Sequence, residues 1–235
     1  MPALAALVTG ATEGIGRATA FALGRAGYPI GVCALNGSRV QALLDELHAA
    51  GLSAAGRAAD VADPDAVRDL VAAVSRELGP IGTLVNNAGI GIFRPFVELT
   101  LEDWDATMAT NLRSIYLVTR EVLSGMRARK EGVIVNVASL AGKNAFVGGT
   151  AYAASKHAVL GFTLSLMLEV RKEGVRVLAI CPGSVDTAMI RNQDLLPRNV
   201  GAYLRPEDVA EAILDALRLP ARALMSEIDL RPANP

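Results

Sequence analysis

Short apolar runs alternate with longer segments of helical periodicity along the chain. Runs rich in Val, Ile and Leu predict seven strands, at residues 4–9, 30–35, 53–59, 83–86, 133–137, 176–180 and 223–230. The segments between them predict helices that begin near Gly14, Ser38, Asp63, Thr100, Ser114, Ala151 and Pro206. Strands that alternate with helices in this way form parallel sheets covered by helices. The pattern therefore predicts an α/β fold: a doubly wound, Rossmann-like sheet of seven parallel strands with helices on both faces.

The composition is that of one well-filled globular domain. The chain has 235 residues, of which 51% are hydrophobic and 20% charged. Because no linker-like stretch divides it, we expect a single domain over residues 1–235. Residues 186–204 are the least regular stretch and follow a strand, which predicts a substrate flap. A formal net charge of −1 provides no field for nucleic acid or an anionic membrane, so the expected partner is a small molecule.

The cysteines, the histidines and the apolar segments favour a soluble, cytoplasmic protein without a metal. Cys33 and Cys181 each lie in an apolar run and are expected to be buried thiols in a reducing compartment. The amino terminus has no basic segment before its apolar stretch, so no signal peptide is expected. The apolar run at residues 158–168 is too short to cross a bilayer. His48 and His157 lie far apart and lack the cysteine or acid clusters that hold metals.

Two turns at the ends of predicted strands are candidates for coenzyme binding. Thr9-Gly10-Ala11-Thr12-Glu13-Gly14-Ile15-Gly16 opens a helix, where glycines let backbone amides approach a pyrophosphate. Its Gly-x-x-x-Gly-x-Gly spacing differs from the commoner dinucleotide fingerprint, so an ordinary tight turn is the alternative. Asn86-Asn87-Ala88-Gly89 ends the fourth strand, at the edge where parallel sheets place ligand-binding loops. A simple Asn-Gly turn is the alternative there.

Ser139, Tyr152 and Lys156 form the most informative group of residues. Tyr152 and Lys156 lie four apart early in a predicted helix, so they share one face and can reach one pocket. A tyrosine pKa near ~10 is too high for efficient proton exchange at neutral pH, but a lysine charge and a positive nicotinamide ring would lower it. Ser139 follows the fifth strand at the same edge, where its hydroxyl could hold a substrate oxygen. The alternative is an ordinary tyrosine and lysine on a solvated helix face.

Taken in order, these motifs resemble the short-chain dehydrogenases/reductases (SDR) of the compact, single-domain type. The resemblance runs from about residue 4 to residue 187 and includes the glycine turn 9–16, Asp60-Val61, Asn86-Asn-Ala-Gly89, Asn111, Ser139, Tyr152-x-x-x-Lys156, Pro182-Gly183 and Thr187. It implies an NAD(P)-dependent oxidoreductase that interconverts a carbonyl group and an alcohol by hydride transfer. The hydride chemistry itself would belong to the coenzyme.

The resemblance also implies a role for each matching residue. Tyr152 would transfer the proton to or from the substrate oxygen, and Lys156 would hold the nicotinamide ribose and lower the tyrosine pKa. Ser139 would position the carbonyl, and Asn111 would support a water chain. The coenzyme-binding residues that it implies are Gly10, Thr12, Glu13, Gly14, Ile15, Gly16, Asn36, Asp60, Val61, Asn87, Ala88, Gly89, Tyr152, Lys156, Pro182, Gly183, Val185 and Thr187.

The chain departs from the family pattern where the coenzyme is selected. The second strand is followed by Asn36, which is neither the acid that signals NAD nor the base that signals NADP. Glu13 would repel a ribose phosphate, whereas Arg17 and Arg39 would attract one. We expect NAD(H) or NADP(H) to bind, with a lean to NAD.

The side chains expected around the substrate are mostly apolar, which predicts an apolar carbonyl or alcohol substrate. They are Ile90, Ile92, Phe93, Phe146, Met189, Ile190, Leu195 and Leu196. Substrates such as 3-oxoacyl thioesters, small ketones or aldehydes, and sugars all fit this description. Apolar helical faces around residues 111–126 and 151–169 predict a homodimer or homotetramer. The alternative function is a catalytically silent NAD(P)-sensing protein on the same fold, although such a protein would not need Ser139, Tyr152, Lys156 and Asn111. A nucleotide-sugar epimerase is disfavoured, because it would need an extra substrate domain.

Overall fold

The computed structural model describes residues 4–191 and 203–233. Its seven strands are β1 (Ala5–Thr9), β2 (Ile30–Ala34), β3 (Ala54–Ala58), β4 (Ile81–Asn86), β5 (Gly132–Val137), β6 (Val175–Pro182) and β7 (Glu227–Leu230). Its α-helices are α1 (Gly14–Arg25), α2 (Gly37–Ala49), α3 (Pro64–Leu78), α4 (Leu101–Met108), α5 (Ser114–Arg129), α6 (Thr150–Val170), α7 (Ala188–Arg191) and α8 (Pro206–Arg218).

The strands form one parallel sheet with the order β3-β2-β1-β4-β5-β6-β7. The chain first builds outward from β1 to β3 and then returns to build the other half from β4. The order therefore reverses between β1 and β4. In such sheets the loops that leave neighbouring strands diverge at this point, and the crevice between them holds the ligand.

Helices cover both faces because alternate residues of each strand point to opposite sides. In β1, Ala6 and Val8 are buried in the layer that contains α1, α2 and α8. Ala5 and Leu7 are buried in the opposite layer with residues of α3, α5 and α6. A sheet buried on both faces holds the strand ends rigidly, and the functional turns are attached to these ends.

The structure confirms the predicted fold class and shifts some of the predicted boundaries. The last strand is shorter than the predicted 223–230, since β7 covers only Glu227–Leu230. The helices expected separately near Thr100 and Ser114 form one continuous run, because a π-helical turn, Ala109–Arg113, joins α4 to α5. Of the predicted flap, residues 186–191 include α7, whereas residues 192–202 lie outside the described residues.

Candidate active site

The glycine turn after β1 presents the amino end of α1 to the crevice. Gly10 and Gly14 both have positive φ, at 62° and 53°, a conformation that side chains with a Cβ rarely adopt. Glu13 occupies the N-cap position of α1, but its side chain makes no capping hydrogen bond. The first amides of the helix are therefore available to a negatively charged group.

The turn after β4 is locked to the glycine turn by hydrogen bonds. The Asn87 Nδ2 group donates to the carbonyls of Thr9 and Gly10, both at 3.0 Å. The Thr9 hydroxyl accepts from the backbone amides of Asn87 and Ala88, each at 3.0 Å. At Gly16, a Cβ would lie 2.3 Å from the Gly10 carbonyl oxygen. Gly16 thus permits close packing of the two turns and does not itself face the crevice.

Tyr152 and Lys156 lie one turn apart near the start of α6. The Lys156 side chain is buried, with 4% of its surface exposed. Its Nζ donates to the Val137 carbonyl at 2.8 Å and lies 5.7 Å from the centroid of the Tyr152 ring. The ammonium group is therefore fixed between the end of β5 and the tyrosine.

Burial shifts the pKa values of these two residues in opposite directions, because it disfavours each charged form. It raises the pKa of the Tyr152 phenol above its ordinary value, and a hydrogen bond with the Ser139 side chain opposes that rise. It lowers the pKa of Lys156 to about 8. The sequence predicts that the lysine charge and the nicotinamide ring of a bound coenzyme together lower the tyrosine pKa. In the protein chain by itself, burial of the phenol is the larger effect and raises that pKa.

Ser139 follows β5 and faces the same space as Tyr152. Its side chain accepts a hydrogen bond from the Ala141 amide at 3.1 Å, which holds the short helical turn Leu140–Gly142. Because the Ser139 hydroxyl also interacts with the Tyr152 phenol, two hydroxyl groups converge on one point. A carbonyl oxygen bound there would meet two donors.

Asn111 lies beneath this group, in the π-helical turn between α4 and α5. Its side chain is buried, accepts from the Ile90 amide at 2.8 Å and donates to the Ile90 carbonyl at 2.9 Å. The same Nδ2 group donates to the Ser155 hydroxyl at 3.1 Å. Ser155 in turn donates to the Tyr152 carbonyl at 2.7 Å. The side chain thus ties the loop after β4 to the helix that carries the tyrosine.

A cleft of about 390 Å³ runs from the glycine turn to Tyr152 and Lys156. Of the residues that the sequence assigns to coenzyme binding, every one except Gly16 lines it. Ser139 also lines the cleft, whereas Asn111 is buried behind it. This cleft fits a dinucleotide. The free amides at the start of α1 suit its pyrophosphate, and the polar triad of Ser139, Tyr152 and Lys156 suits its redox-active ring.

The end of the cleft near Asn36 and Asp60, where the family resemblance places the adenosine, carries an ion pair. Arg39 and Glu13 both line it, and their side chains lie 3.3 Å apart. The Asn36 side chain accepts from the Arg39 amide at 3.0 Å and so caps α2. Asp60, which is exposed, accepts from the Ala62 amide at 2.8 Å. The charged groups at this end of the cleft are therefore an exposed Arg39–Glu13 pair and the Asp60 carboxylate.

The structure brings only part of the predicted apolar substrate wall to the cleft. Ile90, Met189 and Ile190 line it. Ile92, Phe93 and Phe146 are not among the described residues that line it, and Leu195 and Leu196 lie outside the described part of the chain.

Two hydroxyl groups that hold the site together, those of Thr9 and Ser155, were not predicted from the sequence. Thr9 holds the turn after β4, and Ser155 joins Asn111 to α6. Ser155 directly precedes Lys156 on the helix, and this adjacency is the signal that could have drawn attention to it.

Within residues 4–191 and 203–233, no helix is long and apolar enough to cross a membrane. The same residues contain no group of three or more His, Cys, Asp or Glu side chains placed to hold a metal ion. Cys33 and Cys181 are both buried and unpaired with each other.

The fold and the cleft together define a dinucleotide-binding oxidoreductase of the α/β class. A family model described as short chain dehydrogenase matches residues 4–195. The chain belongs to this family, whose members use a nicotinamide coenzyme to interconvert carbonyl and alcohol groups.

Named relatives and a solved structure are similar over nearly the whole chain. An acetoacetyl-CoA reductase of Paracoccus denitrificans is 38% identical over 89% of this chain and 88% of its own length. A 3-oxoacyl-[acyl-carrier-protein] reductase of Synechocystis is 36% identical over 96% of this chain and 94% of its own. The crystal structure of an actinorhodin polyketide ketoreductase variant with NADPH superposes with a TM-score of 0.91 at 37% identity, covering 98% of this chain and 96% of that chain.

Proposed function

We propose that this protein reduces a 3-oxoacyl thioester to the 3-hydroxyacyl thioester with NADPH. The observation that carries the proposal is the convergence of Ser139, Tyr152 and Lys156 at one end of a cleft whose other end is the glycine turn. The names of the relatives support the substrate class, since two of them act on 3-oxoacyl thioesters.

Each side chain of the triad has a distinct task in this reaction. When bound, NADPH supplies a hydride to the carbonyl carbon. Tyr152, kept protonated by burial, donates its phenolic proton to the oxygen as negative charge develops there. Ser139 donates a second hydrogen bond to that oxygen. Lys156 keeps its ammonium beside the tyrosine, where it favours the phenolate left after proton transfer.

We propose that the coenzyme is NADP(H), whereas the sequence suggested a preference for NAD. The solved structure named above contains NADPH. In this chain, Arg39 lines the cleft and is exposed enough to turn from Glu13 toward a ribose phosphate. Guanidinium groups bind phosphate through paired hydrogen bonds. The neutral Asn36 also lacks the charge that would repel that phosphate.

We also propose that the protein is a homodimer or homotetramer in the cytoplasm. Large apolar side chains are exposed on neighbouring helices: Tyr116 of α5 is 47% exposed, and Leu164 and Leu168 of α6 are 56% and 52% exposed. Burying such a face against its own copy would remove apolar surface from water. Two buried, unpaired thiols agree with a reducing compartment.

The direct test is an activity screen of the purified protein. Acetoacetyl-CoA, a simple ketone and a sugar would each be offered with NADPH and with NADH, and coenzyme oxidation would be followed by absorbance. We expect the highest kcat/KM for acetoacetyl-CoA with NADPH. Tight coenzyme binding without turnover of any carbonyl compound would favour the silent sensing protein instead. Turnover of sugars alone would contradict the substrate class.

A further inference from the structure

Three aromatic rings pack together at the catalytic tyrosine. The centroids of Phe93 and Tyr152 lie 5.3 Å apart, with ring planes inclined at 77°. Phe146 lies 6.5 Å from Tyr152 and 5.2 Å from Phe93, at 63° and 88°. These are edge-to-face arrangements, in which the positive edge of one ring meets the negative face of another. Each ring therefore restricts the orientation of the other two.

The two phenylalanines come from different loops that are themselves joined. Phe93 lies in the loop after β4, and Phe146 in the loop between β5 and α6. The backbone amide of Arg94 donates to the Gly148 carbonyl at 2.9 Å. At Gly149, a Cβ would lie 2.4 Å from the Phe146 ring, so the backbone leaves this space to the ring. The contact between the rings is therefore built into the loop conformations.

The loop that carries Phe93 is also anchored to helices. Three residues before Phe93 in this loop, the amide and the carbonyl of Ile90 are both bonded to Asn111. Beyond Phe93, the Arg94 side chain lies 3.4 Å from Asp103 in the first turn of α4. The ring of Phe93 is thereby fixed between two attachment points, and only 8% of its surface is exposed.

The two phenylalanines do not line the coenzyme cleft as the structure describes it, whereas Tyr152 does. They therefore contact the tyrosine from outside the space that the dinucleotide would fill. An effect of Phe93 or Phe146 on the reaction should therefore leave the coenzyme contacts unchanged.

We propose that Phe93 and Phe146 are positioning residues that hold the Tyr152 ring in its reactive orientation before substrate binds. The inference rests on the proposed function, because it concerns the residue that donates the proton. A phenol that is already oriented loses little freedom on reaching the transition state, which raises kcat. Leucine retains much of the apolar volume of phenylalanine but cannot make the edge-to-face contact, whereas tyrosine keeps the ring.

The test compares Phe146→Leu, Phe93→Leu and Phe146→Tyr with the wild type. Phe96→Leu is the matched control, because Phe96 lies in the Phe93 loop and is 71% exposed. We expect each of the first two leucine variants, assayed well below its melting temperature, to lower kcat by roughly three- to tenfold, with an unchanged dissociation constant for NADPH. The loss of packed ring contacts should lower the melting temperature by no more than a few degrees. Phe146→Tyr should restore kcat, and Phe96→Leu should match the wild type.

Three outcomes would overturn the proposal. One is a wild-type kcat in both Phe93→Leu and Phe146→Leu. Another is a loss that follows melting temperature or coenzyme affinity and is the same for Phe146→Tyr as for Phe146→Leu, since this would indicate a structural role only. A wild type that turns over no carbonyl compound would overturn the proposed function together with the positioning role. That failure would be recognised before any variant is compared.

Discussion

The Ser155 hydroxyl accepts a hydrogen bond from Asn111 Nδ2 at 3.1 Å and donates one to the Tyr152 carbonyl at 2.7 Å. The side chains of Ser155 and Asn111 are both buried. The Ser155 hydroxyl thus joins α6 to the π-helical turn and, through Asn111, to the loop after β4. Removing it would leave a buried amide proton without its partner, which costs more than the hydrogen bond itself contributes.

We therefore predict that Ser155→Ala lowers the free energy of unfolding by about 1–3 kcal/mol and lowers kcat more than it weakens coenzyme binding. Urea unfolding, steady-state kinetics and coenzyme titration would measure these effects. Ser114→Ala is a suitable control, because the Ser114 hydroxyl is also buried but bonds back to Thr110 within its own helical run. Equal effects of the two substitutions on kcat would contradict a special role for Ser155.

Tyr152→Phe should abolish most turnover. The variant keeps the ring and its edge-to-face contacts but has no proton to donate, and the loss of a general acid typically costs a factor of about 100 to 10,000. The dissociation constant for NADPH should remain close to that of the wild type. Tyr28→Phe, a half-buried tyrosine between α1 and β2, should be fully active. Substantial turnover by Tyr152→Phe would refute the assigned role.

The buried lysine should leave a signature in the pH dependence of stability. Burial lowers the pKa of Lys156 from 10.5 to about 8, so between these two pH values the unfolded chain binds more protons than the folded one. The contribution of Lys156 to the free energy of unfolding should therefore rise from pH 8 to 10.5, by up to about 3 kcal/mol. Below pH 8 it should be constant.

Denaturant unfolding of the wild type and of Lys156→Met across this pH range would isolate the effect, since other titrating groups are common to both proteins. The stability of the wild type relative to the variant should increase with pH above 8. A constant difference from pH 7 to 10.5 would show that the lysine pKa is not lowered by burial.

The ion pair at the adenosine end should control the choice of coenzyme. Arg39→Ala should weaken NADPH binding by about tenfold and have little effect on NADH. Glu13→Gln should strengthen NADPH binding, because it releases Arg39 from its partner. Arg68→Ala is the control, since Arg68 is paired with Asp65 on α3, away from the cleft. Tenfold tighter binding of NADH than NADPH by the wild type would contradict the proposed coenzyme.

The apolar face of α5 and α6 should determine assembly. Leu164→Glu combined with Leu168→Glu would place two charges in a buried interface and should yield monomers by light scattering. Val97 lies in the short helical turn Phe96–Glu98, away from α5 and α6, and is 92% exposed. Val97→Glu should therefore leave the assembly intact. A wild type that is monomeric at micromolar concentration would show that this face is not an interface.

The periodicity of apolar residues predicted the number of strands and their parallel arrangement because burial on both faces of a sheet leaves a strong pattern. The spacing of Tyr152 and Lys156 likewise predicted that they share one helix face. The sequence predicted separate helices near Thr100 and Ser114, whereas the structure has one continuous helical run through a π-helical turn. A π-turn leaves no recognisable signal in the local pattern of apolar residues. The sequence carried no sign that the rings of Phe93 and Phe146, which it placed near substrate, also pack against Tyr152.

The sequence by itself determined the layered fold and the chemical types of the groups in the cleft, because both depend on local periodicity and on motifs of a few residues. Only the tertiary structure decided that Ser155 accepts a hydrogen bond from Asn111 and that Glu13 pairs with Arg39. It also decided that the rings of Phe93, Phe146 and Tyr152 pack together. Each of these contacts joins residues from different elements, whose side chains are brought together by the sheet order and by burial. Burial also decided the direction of the Tyr152 and Lys156 pKa shifts, since the cost of desolvating a charge depends on the packed surroundings and not on sequence neighbours.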